Sequence, residues 1–143
     1  MSMDEYPILF IDADEDDHTI FKQALAELAI PNPVLVFSNA QTALDYLIAT
    51  QELPFLIISE ISMPGMNGLE LRRQIEQDPN LRRKSTPFIF MTHPVVDYLV
   101  DEAYELTIQG LFEKKTAFQD WKNQLGAIIA YWNECKHPKR FAR

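Results

Sequence analysis

A chain of 143 residues, 47% of them hydrophobic, can fill one core and is too short for two ordinary domains. Its formal charge of -8 excludes a nucleic-acid phosphate backbone as main partner, since such a binder needs a clustered basic face, and the one basic cluster is the terminal KHPKR with Arg143, read as a solvated end. The lone Cys135 excludes an internal disulfide and a Cys/His metal site, no run approaches the about 18 apolar residues of a membrane span, and no leader pattern opens the chain.

These exclusions predict a single cytoplasmic domain over residues 1–143, with a core about 6–133 and a tail 134–143. In chain order, the apolar run PILFI (7–11) is followed by DADEDD (12–17) and by Phe21, Ala24, Leu25 and Leu28 at helical spacing. VLVF (34–37) leads to a stripe of Ala40, Ala43, Leu44, Leu47 and Ile48. FLIIS (55–59) leads to a shorter helix marked by Leu71 and Ile75. FIFM (88–91) precedes Val96, Leu99, Val100 and Ala103, and GLF (110–112) precedes Phe118, Trp121, Leu125, Ile128 and Trp132.

The runs are nearly continuous in hydrophobicity, as strands covered on both faces of a parallel sheet must be. All five helical stripes read as core packing. Strand and helix alternate, which predicts an α/β fold with a doubly wound parallel sheet and right-handed crossovers. Ligands in such sheets bind beyond the carboxyl ends of the strands. The residues at those ends are Asp12, Glu60, Thr92 and Lys114, so carboxylates, a hydroxyl and an ammonium should meet in one crevice.

Other readings of these residues fail on chemistry. Asp12, Asp14 and Asp16 fit the first positions of a calcium loop, but Asp17 stands where its glycine must be and Gln23 where its closing glutamate must be. A flavin phosphate would be repelled by the acidic residues of 12–17. No nucleophile elbow is present for a serine hydrolase. His18 opens the first helix and is expected to face solvent, and His137 falls in the tail. His93 is expected to be a loop residue, or else a plug of the crevice that adds pH sensitivity.

MPGMNGLEL (63–71), directly after the third strand, resembles the loop that follows the acceptor strand in receiver domains of two-component response regulators. AYEL (103–106), FEK (112–114) and YW (131–132) are similar to stand-alone receivers related to phytochrome-associated regulators. The resemblance implies a flavodoxin-like sheet of five strands in the order 2-1-3-4-5. It implies a site in which an acidic pair and an acceptor aspartate hold Mg2+, while a Ser or Thr and a Lys bind the phosphoryl oxygens. Asp12, Thr92 and Lys114 occupy matching positions. The implied partners are a histidine kinase or a downstream adaptor in a phosphorelay. The implied output face is the fourth predicted helix, the fifth strand and the fifth predicted helix, flanked by Tyr104, Ile108 and Tyr131, through which a homodimer would form.

Four positions depart from that pattern. Glu60 replaces the acceptor aspartate, Ala13 the second acid, His93 a small residue after the hydroxyl, and Lys115 a proline. A glutamate carries its carboxylate about 1.5 Å further out, and a misplacement near 1 Å can cost on the order of a hundredfold in rate. Without an oxygen from Ala13, only Asp12 and Glu60 are expected to face the crevice, and Mg2+ binding is expected to be weak or absent, leaving no cofactor. Glu60 is expected to reach Lys114 and Thr92, forming a built-in ion pair whose loss in Glu60→Ala would cost roughly 3–5 kcal/mol if it strands a buried Lys114. The expected function is a non-enzymatic pseudo-receiver that signals by protein binding. The alternative is a working phosphoacceptor using Glu60 or a nearby aspartate with Mg2+.

Overall fold

The computed structural model describes residues 3–138. After a single 3-10 turn, the chain runs through β1 (Ile8–Ile11), α1 (Glu15–Glu27), β2 (Val34–Phe37), α2 (Ala40–Ala49) and β3 (Leu56–Ser59). It continues through α3 (Gly68–Gln77), α4 (Pro79–Lys84), β4 (Phe88–Thr92), α5 (Asp97–Glu105), β5 (Gly110–Glu113) and α6 (Phe118–Glu134). The five strands form one sheet in the order β2-β1-β3-β4-β5, every neighbouring pair parallel.

The continuous apolar runs have a direct structural cause. Along β1, Leu9 and Ile11 enter one core with α2 and α3, while Ile8 and Phe10 enter the other with α1 and α6. β4 divides in the same way, Phe88 and Phe90 against Ile89 and Met91. Side chains two residues apart share a face, so a strand buried on both sides must be apolar at every position. Phe10 stacks on Phe21 of α1 with ring centroids 4.1 Å apart, which fixes the middle of α1 against β1.

Local chemistry sets the helix starts. Asp14, Asn39, Asn67 and Asp78 cap α1, α2, α3 and α4, each accepting from a backbone N–H two or three residues on. The short α4 was not expected from periodicity, because six residues hold too few apolar positions to show a stripe. Its signal is Asp78 followed by Pro79, a cap followed by a residue preset for the first helical position.

One glycine positions the site. A Cβ on Gly68 would lie 2.3 Å from the carbonyl oxygen of Glu60 and 2.9 Å from both Ile61 Cα and Phe90 Cε1. Only glycine lets α3 begin so close to the end of β3, and the Gly68 N–H donates to Ile61 O at 2.9 Å to hold it there.

Three expectations need correction. Ile108 is 7% exposed and packs in the core with Ala103 and Phe88, so it is no part of an outer face. His18 is buried, not solvent-facing. The tail does not leave the body at residue 134: His137 is buried and stacks on Phe55, with centroids 5.1 Å apart. Lys139, Arg140 and Arg143 of the basic cluster lie outside the described residues. No helix among those described is long and apolar enough to cross a membrane.

Candidate functional site

Four strand ends deliver the predicted residues to one place. Asp12 follows β1 and is tied there by its N–H to Phe37 O at 3.0 Å. Glu60 follows β3, its N–H donating to Ile11 O at 2.8 Å. Thr92 ends β4, and its carbonyl receives the N–H of Lys114 at 2.9 Å. The sheet ladder thus places all four groups before any side-chain contact is made.

The ammonium of Lys114 is the hub. Its Nζ lies 2.6 Å from Asp12 Oδ2, 2.7 Å from Glu60 Oε1 and 2.8 Å from Asp17 Oδ2. The other oxygen of Glu60, Oε2, accepts from the Ile61 N–H at 2.6 Å, from the Ser62 N–H at 3.1 Å and from the hydroxyl of Thr92. Glu60 therefore spans from Lys114 to Thr92. Asp12 Oδ1 accepts from the Asp14 N–H at 2.9 Å. Its Oδ2 meets the Lys114 ammonium and no other donor.

Asp17 was missed, and it changes the charge balance. Three carboxylates face one ammonium, leaving two formal negative charges in a largely buried space. The signal was available in the sequence. Stepping back one helical turn from Phe21 on the buried stripe of α1 lands on Asp17 and His18. His18 uses that position to bond Asp12 from behind, its Nε2 2.6 Å from the Asp12 carbonyl oxygen. A carbonyl only accepts, so this nitrogen carries the proton.

Titration follows from burial and charge. Burial raises the pKa of Asp12, and its bonds to Lys114 and the Asp14 N–H offset that only in part. Burial alone would lower Lys114, but the hydrogen bonds it donates to Asp12, Asp17 and Glu60 outweigh it and hold its pKa above the ordinary value. Lys114 is charged at neutral pH.

The remaining positions sit outside this cluster. His93 does not plug the crevice: its side chain is 64% exposed, with Nδ1 3.7 Å from Glu113 Oε2. Ala13 brings no oxygen. Lys115 contributes its carbonyl, which accepts from the Trp121 indole at 2.7 Å and anchors the start of α6. Tyr104 on α5 and Tyr131 on α6 are exposed on either side of β5, the open edge of the sheet.

An all-parallel sheet in this order, with acid, hydroxyl and lysine at the ends of β1, β4 and β5, defines a receiver-type α/β domain. Residues 8–125 match the response regulator receiver domain family, and the chain belongs to it. It is 22% identical over 132 residues to the response regulator Rcp1 of Synechocystis sp. (strain ATCC 27184 / PCC 6803 / Kazusa), covering 89% of this chain and 88% of that one. It is 23% identical over 133 residues to a probable methanogenesis regulatory protein, FilR2, of Methanothrix harundinacea (strain 6Ac), covering 90% and 84%. The crystal structure of the phosphorylated cyanobacterial phytochrome response regulator RcpA superposes with a TM-score of 0.85 at 20% identity, over 94% of this chain and 99% of that one, which establishes the shared fold.

Proposed function

We propose that this receiver is a pseudo-receiver: it signals by binding another protein, and Glu60 holds one conformation without phosphorylation. The observation that carries this is the reach of Glu60, which ties Lys114 and Thr92 together through one carboxylate. In the family's chemistry those two side chains engage phosphoryl oxygens, so an internal carboxylate that bonds both supplies their negative partner in advance.

The oxygens at the crevice support the same reading. Mg2+ is held by one or two carboxylates and several waters, and here both Glu60 oxygens and Asp12 Oδ1 are already engaged. Ala13 has none to give. No cluster of three or more His, Cys, Asp or Glu side chains with metal-binding geometry occurs among the described residues. Few ligand oxygens are left free for a catalytic Mg2+, and Lys114 offsets one of the three carboxylate charges.

Partner binding is assigned to the open edge of β5 with Tyr104 and Tyr131, where large aromatic surface is exposed beside half-buried Leu111 and Phe112. Aromatic side chains carry much of the energy in protein contacts. The partner is a second copy of this chain or another signalling protein.

Beryllofluoride, a phosphoryl mimic, tests the reading when added with Mg2+ and followed by backbone amide NMR. The expected result is an unchanged wild-type spectrum and a response in a Glu60→Asp, Ala13→Asp double variant. Wild-type shifts that spread through Thr92 and the β5 edge would contradict the proposal.

A further inference from the structure

At the opposite end of the sheet from the charge cluster, a cavity of about 310 Å³ opens beneath the first residues of β3 and the residues just before β4 and β5. Its apolar wall includes Ile57, Ile75, Leu81 and Trp132. Four cations, Arg72, Arg82, Lys84 and Lys136, line it beside one carboxylate, Glu76. In a chain whose net charge is -8, this is a local reversal of sign.

Arg72 is the buried member, only 7% exposed. Its Nε donates to Leu106 O at 3.1 Å, and its Nη2 donates to Thr107 O at 2.8 Å and Glu76 Oε2 at 3.2 Å. The third nitrogen, Nη1, makes no hydrogen bond among the described residues. Its guanidinium carbon lies 5.4 Å from the centroid of the Phe88 ring. Nη1 is not among the buried unpartnered atoms, so this donor reaches the cavity surface, where a ligand can meet it. Lys84 is engaged with the carbonyls of Leu47 and Thr50 and adds charge without being the reader.

We propose that this cavity binds a small organic anion, a carboxylate or phosphate monoester on an apolar body, read by Arg72 Nη1 and steered by Arg82 and Lys136. A guanidinium suits a planar carboxylate or a phosphate, and the apolar wall would be wasted on an inorganic ion. The volume lies at the small end of ligand pockets, which run from about 300 to 1,000 Å³. Binding would bear on the rest of the fold through one link. Arg72 holds the carbonyls of Leu106 and Thr107 in the turn between α5 and β5, the elements assigned to partner binding.

The test is an NMR titration of the full-length chain with phenyl phosphate, benzoate, inorganic phosphate and benzyl alcohol at constant ionic strength. Saturable shifts of the Arg72 side-chain N–H, the Trp132 indole N–H and the Gln109 amide with phenyl phosphate or benzoate are expected, and the tighter of the two identifies the anion class. Inorganic phosphate and benzyl alcohol should bind at least about tenfold more weakly, each lacking one half of the recognition. Arg82→Glu, at an exposed rim position, should weaken binding about tenfold while leaving the spectrum folded. Arg72→Gln should abolish it. Shifts that never saturate, equal response to benzyl alcohol, or undiminished binding by Arg82→Glu would overturn the proposal.

Discussion

Replacing Glu60 by Ala tests how the charge cluster is held. The substitution removes the acceptor of the Ile61 N–H, the Ser62 N–H and the Thr92 hydroxyl, and one of the three carboxylates around Lys114. Ser62 is exposed, so water can replace its partner. Ile61 and Thr92 are buried, and stranding a buried donor costs about 1–3 kcal/mol each. Lys114 is not stranded, since Asp12 and Asp17 remain at 2.6 and 2.8 Å. Fewer carboxylates also repel one another less, which returns about 1 kcal/mol. The net loss is about 3 kcal/mol, at the lower edge of the roughly 3–5 kcal/mol the sequence alone suggests, and corresponds to a fall in Tm of roughly 6–12 °C. Urea and thermal unfolding followed by circular dichroism would measure it, with Glu60→Gln beside it. Gln keeps an oxygen for the Ile61 N–H and should stay within about 1 kcal/mol of wild type. An Ala variant as stable as wild type, or a Gln variant as damaged as Ala, would refute this division of the energy.

Other outcomes follow from the same geometry. Asp12→Asn should be neutral or stabilising by about 1 kcal/mol at pH 7, because burial of that carboxylate outweighs its ion pair. A folded-state pKa raised above the unfolded value means that stability from this group falls as pH climbs from about 4. The advantage of Asn in urea denaturation should therefore grow from pH 4 to 7, and a growing disadvantage would reverse the sign. Gly68→Ala should cost at least about 2 kcal/mol, since the new methyl meets backbone at 2.3 Å; an unchanged urea midpoint would show that α3 can shift freely. Millimolar Mg2+ should move the wild-type Tm by less than about 1 °C, as stabilisation needs binding. In Ala13→Asp the same addition should raise it.

Much of this architecture was legible because the sheet is buried on both faces. Continuous runs such as LIIS and FIFM then mark strands, and the residue after each strand marks the crevice. That rule alone located Asp12, Glu60, Thr92 and Lys114. What escaped notice depended on where individual side chains turn. Asp17 and His18 share the inward face of α1 with Phe21, yet in an acidic segment they read as solvated. Ile108 follows Thr107, whose φ of 61° turns the chain so that the next residue enters the core. The cavity at the far end of the sheet draws on α2, α3, α4 and α6, which no local pattern could have joined.

The central claim is that Glu60 makes phosphorylation unnecessary and inefficient. Intact mass after incubation with Mg2+ and acetyl phosphate addresses it most directly, with the Glu60→Asp, Ala13→Asp variant as control. The account predicts an unmodified wild type and a variant that gains one phosphoryl group. A wild type that gains the phosphoryl mass itself would contradict it, and mapping the modified carboxylate would name the residue that has taken over.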